Sequence, residues 1–363
     1  MEEKVAVRIV AKYLKKGNMA RCLRDVLPSA GLSNEQRAEI AEVVHDVVRW
    51  KKLYEQIMNQ RNLLPTPETY IKLAMHGAHA DDSRYPFEYR YSCSAYVENV
   101  LKNHGDWAEF LNRTPPTCLC VNRNTSSVST VLDILHSEHL PAQTATLDTA
   151  ILASSMSKYS GVIRQRFAHI QDENSQFIAW LAVFFGESIL DYCAGNGGKS
   201  LAMASITQNK KHLTAYEVSA GKRTILRNRC TQYHADVHIE EQPPNVKFDV
   251  VLVDAPCTGL GAARRNPEVK YIEGVGTFPT TQLSILEKAA SNVQRHGYLL
   301  YAVCTITPEE TQEVIQTFIR QHGFVPMSWD SAPYTNYLQR APLGAFTILP
   351  QGDLFFVSLL QKS

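Results

Sequence analysis

The chain has no long hydrophobic run, no paired-cysteine motif and almost no net charge, and each absence removes a class of function. The longest apolar stretch, FIAWLAVFF, is nine residues (177–185), far short of the roughly 18 to 20 a membrane-spanning helix needs. The opening MEEKVAVRIVAKYLKKG lacks an apolar core of signal-peptide length. A soluble, cytoplasmic protein with no membrane partner is therefore expected. The eight cysteines, at 22, 93, 118, 120, 193, 230, 257 and 304, form no Cys-x-x-Cys pair. No metal site is expected, and in a chain that is not exported the thiols should be reduced. The formal charge of +1 gives no global argument for nucleic acid, so any basic surface must be local.

Locally, basic residues do concentrate. Between Lys199 and Cys230 stand seven Lys or Arg and one acidic residue, Glu217, and the first 61 residues hold twelve Lys/Arg against eight Asp/Glu. Solvated helix faces explain either cluster as readily as a binding surface does. The length, 363 residues, suggests roughly two domains. The first 115 residues read as helices. Ser33 with Gln36 three residues on is a capping-box pattern, followed by Ile40, Val43, Val44, Val47 and Val48 at helical spacing. Further helices are expected near 69–79 and 94–102. Pro115-Pro116 marks a boundary, and 116–170 reads as a small α/β linking region with a strand at TCLCVN and a helix at SSVSTVLDILHSEH.

From Gln171 to the end, strands alternate with amphipathic helices: SILDYC, HLTAYEV, DVHIEE, DVVLVDA, a helix over 280–295 with Leu283, Leu286, Ala290 and Val293 inward, GYLLYAVC, the helix PEETQEVIQTFIRQH, FVPMSW and DLFFVSLL. This grammar predicts an α/β domain with a doubly wound, mostly parallel, Rossmann-like sheet. Ligands of such sheets bind beyond the carboxyl ends of the strands, so the residues that end strands matter most. The first strand runs into a loop with glycines at 195, 197 and 198, suited to a ligand at a helix N-terminus. The second ends in Glu217, twenty-two residues after Gly195, a distance that suits a ribose diol. Loop and carboxylate together fit S-adenosylmethionine as well as NAD; a helix N-terminal charge is the plainer reading of Glu217. The fourth strand ends in Asp254-Ala-Pro-Cys257 and the fifth in Cys304-Thr305, which would bring two thiols to one cleft. A thiolate adding to carbon 6 of a pyrimidine turns carbon 5 into a nucleophile, and a second group nearby aids release. A free thiol needs help to ionise, and Lys199 is a candidate to give it electrostatically.

These motifs resemble those of the RNA 5-methylcytosine methyltransferases of the RsmB/Sun/Nop type. They occur in order as QDENSQ, LDYCAGNGGKS, AYEVS, DVVLVDAPCTGLGAARRNPEVKY, LLYAVCTITPEE and GDLFF. The resemblance implies a class I S-adenosylmethionine-dependent methyltransferase domain over 171–363, preceded by a NusB-like RNA-binding domain over 1–115. It implies that Cys304 is the nucleophile, that Cys257 assists release, and that Asp254 holds the cytosine edge. Cys193, Ala194, Gly195, Asn196, Gly197, Gly198 and Lys199 would bind the cofactor with Glu217 and Asp254. Arg264, Arg265, Asn266 and Lys270 would face RNA, with ribosomal RNA the implied substrate of a monomeric enzyme. Two departures stand out. Gly195-Asn196 replaces the usual Ala-Pro, and the acidic residue after the third strand is Glu240 or Glu241. Transfer RNA as substrate, or a non-catalytic assembly factor on the same fold, are the alternatives; a binding module would need neither thiol.

Overall fold

The computed structural model describes residues 2–77, 84–102, 104–329 and 332–363. Contacts cluster in two compact units, Met1–Thr114 with Ala262–Gly274, and Pro115–Gly261 with Val275–Ser363.

The first unit is helical. Its long helices are Glu2–Lys16, Met19–Val26, Asn34–Arg49, Lys51–Gln60 and Pro67–Met75. The capping box forms: Ser33 Oγ accepts from the Gln36 backbone N–H, and Gln36 Oε1 accepts from the Ser33 N–H at 2.9 Å. Ile40, Val44, Val47 and Val48 are buried and pack with Ile9, Val10, Tyr54 and Ile71. Apolar side chains three and four residues apart share one helix stripe, so the sequence pattern becomes the core. The helix anticipated near 69–79 begins earlier, because Thr66 caps it and Pro67 occupies the first turn; positions 78 and 79 lie outside the described residues. Ser94 caps the helix Ala95–Leu101.

The second unit holds two sheets. The smaller is antiparallel, built from β1 (Thr117–Val121), β2 (Ala142–Thr144), β3 (Ala150–Ala153) and β4 (Ala168–Ile170) in the order β2-β3-β1-β4. The larger contains β5 (Ser188–Asp191), β6 (His212–Tyr216), β7 (His238–Glu240), β8 (Phe248–Asp254), β9 (Val293–Val303), β10 (Phe324–Pro326), β11 (Leu338–Ala341), β12 (Gly344–Thr347) and β13 (Phe356–Lys362). Its order is β11-β12-β13-β9-β8-β5-β6-β7, with β10 also paired to β13. Neighbours from β7 to β9 are parallel, and β13 runs antiparallel to β9. The carboxyl ends of β5, β6, β8 and β9 thus open on one edge, where Asp191, Glu217, Asp254 and Cys304 sit.

Two details differ from the sequence reading. The helix placed at 280–295 spans Phe278–Ala290, and Val293, expected on its inner stripe, begins β9. Asn292 breaks the helix: its side-chain amide donates to the carbonyls of Pro244 and Val246, and its own carbonyl accepts from Phe248 N–H. The β11–β12 hairpin was also not foreseen, since LQRAPLGAFT has no clear alternation. It turns through Leu343 at a left-handed φ of 60°.

Candidate active site

The loop after β5 carries the glycines into the helix Gly198–Thr207. Gly197 has φ +83°, which disfavours any larger residue, and a Cβ there would also lie 2.4 Å from Leu226 Cδ1 and force that side chain to shift. Glu217 is buried and closes the loop from the next strand. Its Oε2 accepts from the Gly195 N–H at 2.9 Å and its Oε1 from the Ser219 N–H at 2.8 Å. An ionised carboxylate has about four acceptor positions, so it can hold the loop and still receive a ligand hydroxyl. Asn196 is exposed and its carbonyl accepts from Arg229 at 2.8 Å, while Ala194 N–H donates to Tyr216 O. The Cys193 thiol is pushed up by burial and by the carboxylates of Asp191, Asp254 and Glu217, which suits it to packing. Of the two acidic candidates after the third strand, Glu240 pairs with His238 and Glu241 with Arg227.

Asp191 is a site residue that sequence reasoning missed. Burial raises its carboxyl to about 6, against the opposing Ser200 hydroxyl that donates to Oδ2 at 2.6 Å. Its Oδ1 has no hydrogen-bond partner and is buried. Such an orphan is costly unless a ligand meets it. The available signal was a carboxylate closing a core strand directly before a glycine turn.

The thiols meet. Cys257 Sγ and Cys304 Sγ lie 3.4 Å apart, because β8 and β9 are adjacent with Asp254 opposite Ala302. The Cys257 thiol is held well above its ordinary value by its bond to Cys304, by burial, and by the negative charge of Cys304, Glu310 and Asp254. Two thiolates in contact repel, so the pair does not carry both negative charges together. Lys199 Nζ donates to Asp254 Oδ2 at 2.5 Å and lies 5.0 Å from the centre of the Phe355 ring. Burial opposes the lysine's charge, but Asp254, Cys304 and Asp191 outweigh it and raise its pKa. A fixed ammonium therefore stands among the carboxylates and thiols.

Behind the thiols lies a second unforeseen group. Glu310 is fully buried. Its Oε1 accepts from Thr258 N–H at 2.9 Å and Gln282 Nε2 at 3.0 Å, and its Oε2 from the hydroxyls of Thr258, Thr307 and, at 3.4 Å, Thr305. Pro308-Glu309-Glu310 carries two adjacent glutamates, and nothing in the sequence says which one turns inward.

The RNA-facing expectation for Arg264 and Lys270 is corrected. Both are buried within the helical unit. Lys270 Nζ donates to Arg49 O at 2.7 Å, Tyr91 O at 2.9 Å and the Asn112 side chain. Arg264 lies over the Phe110 ring at 4.1 Å, and its carbonyl accepts from Arg49. Both side chains are thus removed from solvent and committed to carbonyls and a ring, and neither is presented to phosphate. Arg265 is half-buried and Asn266 exposed. Among the described residues no group of three or more His, Cys, Asp or Glu could hold a metal ion, and no helix is long and apolar enough to cross a membrane.

With this geometry in place, comparison with known families is decisive. The family described as 16S rRNA methyltransferase RsmB/F matches residues 178–361. The chain belongs to the RsmB/F family. Among curated relatives, it is 31% identical over 274 residues to a probable ribosomal RNA small subunit methyltransferase B of Bacillus subtilis (strain 168), covering 68% of this chain and 60% of that protein. It is 28% identical over 239 residues to the ribosomal RNA small subunit methyltransferase B of Yersinia enterocolitica, covering 60% of this chain and 54% of the relative. The RsmB/F chain described here thus spans about 54–60% of the length of these relatives. In fold it is similar to PH0851 (TM-score 0.80, 18% identity, covering 99% of this chain and 98% of the other). It is also similar to NSun6 from Pyrococcus horikoshii, solved with SFG (TM-score 0.60, 16% identity, covering 74% and 97%). The mixed sheet is typical of class I S-adenosylmethionine-dependent methyltransferases, and a helical region precedes it in the chain.

Proposed function

We propose that this chain methylates carbon 5 of a cytosine in RNA, with ribosomal RNA as the substrate class and S-adenosylmethionine as the methyl donor. The observation that carries the reading is the 3.4 Å approach of Cys257 and Cys304 at the ends of adjacent parallel strands. A half-buried pair of thiols beside a Lys–Asp ion pair has little structural use and a specific chemical one. The residues suit the donor. The glycine loop 195–198 admits a close ligand, Glu217 retains acceptor capacity for a diol, and the orphaned Asp191 Oδ1 would meet positive charge. S-adenosylmethionine, when bound there, supplies an electrophilic methyl group.

The protein's own part is to activate the ring. Cys304 as thiolate adds to carbon 6, forming a C–S bond and moving the ring electron pair towards carbon 5, which becomes nucleophilic. Asp254, held by Lys199, would steady the cytosine edge. Once carbon 5 carries the methyl group, solvent takes its proton, the C–H electron pair re-forms the 5,6 double bond, and the C–S bond breaks with its pair on Cys304. Cys257, 3.4 Å from that sulfur, is the neighbour suited to hand it a proton as it leaves. The helical unit is proposed to be a NusB-like RNA-binding domain, and 116–170 a linking region, in an enzyme acting as a cytoplasmic monomer. Arg265 and Asn266 remain the candidates for RNA contact in their segment. Bisulfite mapping of RNA from cells with and without this protein tests the reading. One 5-methylcytosine in ribosomal RNA should vanish; an unchanged map would overturn it.

A further inference from the structure

We infer that Glu310 is a positioning residue that sets the distance between the two thiols by tying both cysteine-bearing turns to one carboxylate. The inference rests on the reading of Cys257 and Cys304 as a catalytic pair. Each cysteine is followed by a threonine, and both threonines turn to the same carboxylate. Thr258 donates its backbone N–H to Oε1 and its hydroxyl to Oε2, while the Thr305 hydroxyl lies 2.9 Å from the Thr258 hydroxyl and 3.4 Å from Oε2. Thr307 adds its hydroxyl at 2.8 Å. Gln282 ties the same carboxylate to the carbonyl of Pro256, one residue before Cys257.

Glu310 is itself fixed, since its carbonyl accepts from the buried Tyr301 hydroxyl at 2.7 Å. The donors fully occupy it: two on one oxygen, three on the other. A second tie runs through the backbone. Gly261 N–H donates to Cys304 O at 3.0 Å, and a Cβ there would lie 2.0 Å from Leu354 O. Without Glu310, the two backbone bonds, Gly261 N–H to Cys304 O and Ala255 N–H to Ala302 O, and the Thr258–Thr305 hydroxyl contact would be left to register two turns that come 47 residues apart in sequence. Charge-assisted hydrogen bonds in a dry interior hold such a geometry better than neutral ones. Glu310 touches neither sulfur as a hydrogen-bond partner, and so it acts through Thr258 and Thr305.

The test reads thiol geometry without RNA. Diamide, a diazene oxidant, joins two thiols: both S–H bonds break, an S–S bond forms, and the two hydrogens reduce the N=N bond to a hydrazine. Sulfurs held at 3.4 Å should close with little movement. Glu310→Ala should slow closure of the Cys257–Cys304 disulfide by about tenfold or more, and slow methyl transfer by up to about 10²-fold with the RNA KM little changed, the scale of a small misplacement. Glu310→Gln should restore disulfide closure to within about threefold, because the amide still accepts from Thr258 N–H and donates to the hydroxyls. Asn292→Ala, which frees the 244–246 loop in the same unit, serves as the comparator for lost stability. It should lower the melting temperature and leave disulfide closure at the wild-type rate.

Closure in Glu310→Ala at the wild-type rate would overturn the inference. Equal slowing in Asn292→Ala would also overturn it, by showing general loosening. If Glu310→Ala slows closure while the wild-type protein methylates no RNA, the positioning holds and the methyltransferase reading fails. If RNA is methylated and closure is unaffected, the reverse is true.

Discussion

Lys199 Nζ and Asp254 Oδ2 lie 2.5 Å apart with the lysine side chain almost wholly buried, and this ion pair is within electrostatic reach of both Asp191 and the Cys304 thiol. Asp191 and Cys304 both add to the lysine's charge. The two halves of the site are therefore coupled electrostatically, and charge introduced on one side is felt on the other.

The two thiols should respond unequally to removal. Cys304→Ala should form no covalent adduct with RNA, since the sulfur that attacks carbon 6 is gone. Cys257→Ala should methylate once and stay attached, giving a protein–RNA band that survives denaturing electrophoresis. A band from Cys304→Ala alone would exchange the two roles. If neither variant traps RNA and both remain fully active, the thiols only pack, and each substitution costs a small loss of stability.

Glu217 is predicted to serve the cofactor and its loop together. Glu217→Ala should weaken S-adenosylmethionine binding by about 1.5–3 kcal/mol, the scale of a hydrogen bond to a charged group. It should also speed amide exchange at Gly195 and Ser219, whose N–H groups lose their acceptor. Calorimetry on the folded variant decides the first point; unchanged affinity would remove Glu217 from the cofactor site.

Asp191 should make cofactor binding pH-dependent. Its carboxyl is raised to about 6 by burial, above the roughly 3.9 of an unfolded chain. Between about 4 and 6 the folded protein binds the extra proton, so this group's contribution to stability falls as pH rises through that window. A cationic ligand reverses the preference by favouring the carboxylate. S-adenosylmethionine affinity should therefore be up to about tenfold weaker at pH 5 than at pH 7.5, and Asp191→Asn should flatten the profile. A flat wild-type profile would show that no positive charge meets Oδ1.

Lys270 should matter for folding and not for phosphate. Lys270→Met leaves two backbone carbonyls and the Asn112 side chain without their donor, and should cost about 3 kcal/mol or more. Burial lowers Lys270 to about 7, with Arg49 adding to the effect and Cys93 opposing it. The unfolded chain thus holds this proton more tightly, and wild-type stability should rise with pH between about 7 and 10; denaturant titrations should find that slope missing in the variant. The salt dependence of RNA affinity should be unaltered, because no released counterion is lost. A flatter slope would return Lys270 to the RNA surface.

The sequence by itself determined the alternation of strand and helix, the apolar stripes of the first helices, and the order of DYCAGNGGKS, Glu217, DAPC and CT along the chain. These were legible because periodicity and turn residues are local properties. So was the meeting of two thiols, since parallel strands of a doubly wound sheet must present their carboxyl ends on one edge. The tertiary structure alone decided where the charges went. RRNPEVK reads as a basic, solvent-seeking segment, yet Arg264 and Lys270 are interior, because carbonyls of the first unit collect around Lys270 and the Phe110 ring packs against Arg264. Pro308-Glu309-Glu310 reads as a helix start, yet Glu310 gathers hydroxyls from two strand ends. The paired acceptors and donors of a buried charge come from residues distant in the chain, and no local pattern encodes their convergence.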